Sequence, residues 1–236
     1  MKIAVLNSGK LHHKYLTYEI SKKFPISGII IENTDIVPPF PTYHLYEDLQ
    51  KSYEFSILSE NKMPNFEDIS ETIFCDNIND AKTYSFLSDL KPDIVITFGT
   101  RKIGKKIIDV CPNGFINLHG GNPERYRGLD SHLWSIYHND FENIVVTLHR
   151  LNAKLDDGEI ISKREISLNS KLHLHQLRIE NVRVCSKLLL DALSYFKNNR
   201  KFLSYPQKNK GRYYSFMPDI LKEKCVKNFE NHIRGL

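Results

Sequence analysis

The chain is poor in cysteine: Cys75, Cys111, Cys185 and Cys225 are the only four in 236 residues. No two form a CxxC pair or stand at zinc-ligand spacing, so neither a disulfide framework nor a metal site is supported, and the thiols read as reduced and mostly structural. A long apolar run is also missing. Nothing approaches the roughly 18 consecutive apolar residues of a membrane span. The opening Met1-Lys2-Ile3-Ala4-Val5-Leu6-Asn7 is too short for a signal-peptide core and reads as a first β-strand, which predicts a cytoplasmic protein. Neither charge sign dominates: 33 basic against 28 acidic residues leave a net +5. That is too mild to announce a nucleic-acid protein and compatible with an anionic small substrate. Two phosphate-binding patterns are absent. Ser8-Gly9-Lys10 lacks the spaced first glycine and terminal Ser/Thr of a P-loop, and no GxGxxG follows the first strand. A nucleoside triphosphatase or a dinucleotide enzyme is therefore disfavoured, and no repeat or low-complexity tract is present.

What is present suits a globular protein. At 41% hydrophobic and 26% charged residues, the chain can bury a sizeable core. Strand-like and helix-like segments alternate, the signature of an α/β protein with a mostly parallel sheet. Strands are expected at 2–6, 28–31, 72–75, 93–98, 115–119, 144–149 and 159–166. Helices are expected at 11–24, 80–90, 104–110, 131–138 and 172–196. A further helix over 45–58 would place Leu45, Leu49, Tyr53 and Leu58 on one side. After residue 170 the pattern predicts a small extension made of a helix and a β-hairpin, the hairpin pairing 202–205 with 212–216 around the turn-rich 207–211. The division is thus 1–170 as a main domain and 171–236 as an extension suited to dimerisation. Lys222, Lys224 and Lys227 read as a solvated helix face, and His12, His13, His173 and His175 as surface or capping residues.

The strongest local signal is Asn117-Leu118-His119-Gly120-Gly121-Asn122-Pro123-Glu124-Arg125-Tyr126-Arg127-Gly128. Side chains alternate along a strand, so Asn117 and His119 share one face. They stand at the carboxyl end of a strand, where open α/β sheets place their ligands, and two buried polar groups there need partners. A strand end whose Asn and His only satisfy loop backbone is the competing reading. The second signal is Leu155-Asp156-Asp157-Gly158-Glu159. Alone it reads as a solvated loop, and it lacks the alternating acidic ligands of a calcium site.

Taken in order, Asn117-x-His119, Gly120-Gly121-Asn122-Pro123, Tyr126-Arg127-Gly128 and Leu155-Asp156-x-Gly158 resemble the folate-dependent formyltransferase family, specifically over about residues 90–165. The resemblance implies a Rossmann-like catalytic domain and N10-formyltetrahydrofolate as formyl donor, without a metal. It places a catalytic triad on Asn117, His119 and Asp156. Phe98, Gly99 and Thr100 then correspond to the folate-site loop, and Asp157 is a further cofactor-binding candidate. The implied chemistry is attack of a primary amine on the formyl carbon, with His119 moving the proton, Asn117 donating to the oxyanion, and Asp156 orienting His119.

Within the family, the Gly120–Gly128 sequence is most similar to bacterial nucleotide-sugar N-formyltransferases, which build formamido sugars for surface polysaccharides such as O-antigen. The residues after 170 leave little room for the basic barrel of methionyl-tRNA formyltransferases, and the Pro-Ser-Leu-Leu-Pro that follows the histidine in glycinamide ribonucleotide enzymes is absent. The expected acceptor is a nucleotide-linked amino-deoxy sugar of the dTDP-4-amino-4,6-dideoxyglucose type. Its candidate contacts are Lys10, Asn122, Arg125, Tyr126, Arg127 and Tyr213, the basic ones to meet phosphates. The expected state is a homodimer without nucleic-acid or membrane partners. The tRNA and ribonucleotide enzymes, and a non-catalytic folate- or nucleotide-binding module of the same fold, are the alternatives.

Overall fold

A computed structural model of the chain describes residues 1–152, 154 and 156–236. In chain order the strands are β1 (Ile3–Asn7), β2 (Gly28–Glu32), β3 (Thr72–Cys75), β4 (Ile94–Phe98), β5 (Phe115–His119), β6 (Tyr126–Gly128), β7 (Val145–Arg150), β8 (Ile160–Glu165) and β9 (Arg212–Tyr214). The helices are α1 (Leu11–Ser21), α2 (Tyr46–Ser59), α3 (Phe66–Ile69), α4 (Ala81–Leu90), α5 (Lys105–Ile108), α6 (Ser131–Tyr137), α7 (Leu177–Asn199) and α8 (Asp219–Arg234). Seven strands form one sheet in the order β3-β2-β1-β4-β5-β7-β8. The first five are parallel, β7 pairs antiparallel with β5, and β8 antiparallel with β7.

The alternation of side chains along the strands builds two layers. Ile3 and Val5 of β1, with Ile94 and Ile96 of β4, pack into one cluster with Leu16 and Ile20 of α1 and Leu188 and Leu189 of α7. Their neighbours Ala4, Leu6 and Val95 point the other way, onto Leu87 of α4 and Ile107 of α5. Helices on both faces explain why β1, β2 and β4 are buried at every residue and read as unbroken apolar runs. Asp80 starts α4 by accepting from the Thr83 N–H at 2.8 Å, and Lys91 in the left-handed region ends it before Pro92. The α7 residues Val182 and Phe196 and the α8 residues Cys225, Phe229 and Ile233 join the same cluster as the sheet. No helix among the described residues is long and apolar enough to cross a membrane.

The expected hairpin does not form. Arg212–Tyr214 pairs in parallel with Tyr126–Gly128, and Tyr205 bridges to Ile160. The intervening chain is drawn onto the 156–158 turn instead, where the Gln207 amide donates to the carbonyls of Asp156 and Gly158 at 2.9 Å each. Turn residues between two strand-like segments cannot reveal that each has a better partner far away in sequence. Helix α2 meets its expected apolar face only in part: Leu58 is buried and Tyr53 half-buried. Leu45 and Leu49 are 73% and 59% exposed, while Gln50 and Glu54 face inward. Glu54 is held there by the His12 ring at 2.8 Å and the Arg178 guanidinium at 3.4 Å. Lys222, expected on a solvated face, is buried against Glu47 (2.7 Å) and the Thr42 carbonyl. His13 is buried too, under the Gly99 turn.

Candidate active site

The order of strands reverses between β1 and β4, and the carboxyl ends of β4 and β5 open there into a cavity of about 610 Å³. This is the position at which open α/β sheets bind ligands. Gly99, immediately after β4, adopts φ +65°, and a Cβ on it would fall 2.2 Å from the His13 ring. Only glycine lets this turn close over the histidine. His13 is braced by the Ser8 hydroxyl at 3.1 Å and by the edge of Phe98, and burial holds its imidazole neutral, well below its ordinary value.

Asn117, His119 and Asp156 all line this cavity. The Asn117 side chain is clamped at both ends: its Oδ1 accepts from the Thr97 hydroxyl at 2.8 Å, and its Nδ2 lies 3.1 Å from His149 Nε2. His119 Nε2 lies 2.8 Å from the Tyr126 carbonyl, which accepts only from a donor, so that nitrogen carries the proton. The basic lone pair is thereby assigned to Nδ1, which faces Asp156 Oδ2 at 3.6 Å. That separation exceeds a hydrogen bond.

Asp156 sits in a turn at φ +47° that asparagine and aspartate tolerate better than most residues. Its carboxylate accepts the Gly128 N–H at 2.8 Å and lies 3.4 Å from His149 Nε2. Burial opposes its ionisation, but the His119 and His149 rings once protonated, together with the Gly128 N–H, outweigh burial and hold it well below the usual carboxylate range. Leu155, the preceding motif residue, lies outside the described residues.

His149 was not singled out in the sequence. It stands directly across from Asn117 in the antiparallel β5–β7 pair, and its Nδ1 lies 2.8 Å from the Arg150 carbonyl. With the proton fixed on Nδ1, Nε2 accepts from Asn117 and orients that amide. The only available hint was a polar residue in the buried run Val145–Arg150, and nothing local tied it to Asn117.

The other candidates divide. Gly99, Thr100 and Tyr213 line the cavity. Phe98 is buried beneath it, 5.1 Å from the His13 ring. Asp157 faces Arg127 at 3.8 Å and Lys154 at 3.7 Å. Lys10 pairs with Asp35 at 3.3 Å. Asn122 is buried and bonds to Asn143, and Tyr126 donates its hydroxyl to Asp140 at 2.9 Å while offering its carbonyl to His119. Arg125 joins the chain's two short strands, its carbonyl accepting the Arg212 N–H at 3.0 Å. None of these last six lines the cavity.

Residues 47–193 match the model of a formyl transferase family (Formyl_trans_N). The chain is 38% identical over 96 residues to the bifunctional polymyxin resistance protein ArnA of Wigglesworthia glossinidia brevipalpis, covering 40% of this chain and 14% of that one. It is 32% identical over 157 residues to the methionyl-tRNA formyltransferase of Ruminiclostridium cellulolyticum, covering 63% and 49% respectively. The chain thus spans half or less of these two curated relatives. Among solved structures, a 4-N formyltransferase from Francisella tularensis superposes with a TM-score of 0.63 at 16% identity, covering 97% of this chain and 87% of that one. The formyltransferase PseJ from Anoxybacillus kamchatkensis, in complex with UDP-4,6-dideoxy-4-formamido-L-AltNAc and tetrahydrofolate, gives 0.56 at 21% identity, covering 91% and 86%. Identities this low establish a shared fold.

Proposed function

We propose that this chain, which belongs to the formyl transferase family, moves a formyl group from N10-formyltetrahydrofolate to the primary amine of a nucleotide-linked amino-deoxy sugar, as a step toward a surface polysaccharide such as O-antigen. The observation that carries the reading is the meeting of Asn117, His119 and Asp156 at one cavity, each held by partners that set its chemical role. The residues present fit a folate donor. The wall combines the Gly99–Thr100 turn with apolar Ile103, Leu118 and Leu151, suited to a flat heterocycle. Such a donor, when bound, supplies an electrophilic formyl carbon and an amine leaving group. The protein's own residues supply the rest. Asn117, oriented by Thr97 and His149, keeps one N–H free to stabilise negative charge on oxygen. His119 takes a proton at Nδ1 from the attacking amine, the Asp156 carboxylate stabilises the imidazolium so formed, and that imidazolium would return the proton to the departing amine, leaving His119 neutral again.

The sugar acceptor is supported by the Gly120–Gly128 sequence and by neighbours of the same fold that act on or bind nucleotide-linked sugars. A homodimer belongs to the same reading, and light scattering tests it. Incubation with the folate donor and a panel of nucleotide-linked amino sugars should add one CO unit to the mass of at least one sugar. No gain with any of them would defeat the reading. The identity to a methionyl-tRNA formyltransferase favours charged initiator tRNA as the second acceptor to test, and that reading requires binding that weakens steeply with salt.

A further inference from the structure

Two polar side chains in the cavity wall have nothing in the protein to bond. Gln50 and Tyr46 stand one turn apart on α2 and are only 7% and 8% exposed. Both line the cavity, and among the described residues neither the Gln50 amide nor the Tyr46 hydroxyl bonds to the protein; their polar atoms are not sealed from solvent and open onto the cavity. Two polar groups one turn apart that face the same cavity without a protein partner point to a ligand that completes their bonding. Asp130 adds an acceptor. Its backbone is held at φ +49°, one carboxylate oxygen takes the Met217 N–H at 2.8 Å, and the other has no partner among the described residues. Arg178 of α7 completes the group.

The charges here select the chemical class. Arg178 already faces Glu54, and Lys222, just behind, is buried against Glu47. A phosphate entering this wall would find its cations engaged and the Asp130 carboxylate opposed to it. A neutral group rich in hydroxyls can instead donate to Asp130, accept from Arg178, and do both with Gln50 and Tyr46. A flat heterocycle is served better by the apolar residues near Gly99. Resting on the acceptor reading above, we infer that Tyr46, Gln50, Asp130 and Arg178 form the subsite that reads the hydroxyls of the acceptor's hexose ring, with the diphosphate held elsewhere.

Calorimetric titration of the full chain with thymidine, uridine and guanosine diphosphates, with dTDP-glucose, UDP-glucose and GDP-mannose, and with tetrahydrofolate tests this. At least one nucleotide hexose should bind about tenfold or more tightly than its bare diphosphate. Tyr46→Phe and Gln50→Leu should each remove about threefold or more of that increment, the scale of one lost hydrogen bond, and leave the bare diphosphate and tetrahydrofolate unaffected. The Phe variant keeps the packed ring, so it carries the test if Gln50→Leu does not fold. The subsite is overturned if no hexose gains over its diphosphate, if the folded variants keep the increment, or if their loss falls on the diphosphate or on tetrahydrofolate. Loss of the increment in the variants, with no amino sugar formylated by the wild type, would overturn the proposed reaction and leave the subsite standing.

Discussion

At the scale of single residues, the cavity depends on histidines whose protons are assigned by backbone carbonyls. Asn117→Ala and His119→Ala should stay folded and lose about a hundredfold or more in formyl transfer, the scale of one oxyanion donor or one acid-base group. Near-normal turnover in the His119 variant would remove it from the mechanism. Asp156→Asn should be crippled while Asp157→Asn, whose carboxylate faces Arg127 and Lys154, loses far less. His132 makes a prediction about pH. Burial outweighs its bond to the Val145 carbonyl, and with help from His119 lowers its pKa to about 4 from 6.5. Between those values the unfolded chain takes up a proton that the folded chain refuses, so stability is complete above 6.5 and falls as pH drops toward 4. The slope from one such proton is at most about 1.4 kcal/mol per pH unit. Urea titrations at several pH values should show a shallower acid slope for His132→Asn, and an unchanged slope would count against a buried neutral ring. Asp156 acts in a lower window: its depressed pKa stabilises the fold above the ordinary carboxylate range and is lost as pH falls through and below it.

At the scale of elements, the short parallel pair β6–β9 ties the C-terminal segment to the 156–158 turn. Gly128 is the joint. It adopts φ +95°, a Cβ on it would fall 2.1 Å from the Tyr214 carbonyl, and its N–H holds Asp156. Gly128→Ala should therefore cost about 1–3 kcal/mol in backbone strain and should reduce formyl transfer as well. Faster hydrogen exchange at the Leu129 N–H, which donates to the Tyr214 carbonyl, would locate the damage at the strand pair. Unaltered exchange would refute this account. The same pair explains the failed hairpin. Local turn chemistry over 207–211 does mark a place where the chain bends, but the partners of the flanking segments are set by the position of Tyr126–Gly128 in the fold. Helix α2 forms where expected, but Leu45 and Leu49 stay exposed for a related reason, since Glu54 and Gln50 face inward toward charges and a cavity supplied by other elements.

At the scale of the whole molecule, the C-terminal helices are part of the core. Phe229 of α8 is fully buried, whereas Ile220 of the same helix is 82% exposed. Phe229→Ala should cost about 3–5 kcal/mol through lost burial and a cavity, while Ile220→Ala should stay within about 0.5 kcal/mol. Equal effects in chemical denaturation would contradict the packing. The cavity likewise draws on distant segments, with walls from the end of β4, from β5, from α2 and from α7.

The sequence by itself determined the parallel α/β plan, because β-branched runs and helical spacings are local and a sheet covered on both faces must read as unbroken apolar strands. Strand alternation also put Asn117 and His119 on one face, while Asp156 came in only with the resemblance to the formyltransferase family. Only the tertiary structure decided which groups orient them. His149 meets Asn117 through cross-strand register, Gln50 and Tyr46 reach the cavity through the rotation of α2, and Lys222 is drawn inward by Glu47. Contacts of that kind depend on which surfaces are brought together in space, and neither propensity nor spacing along the chain encodes that directly.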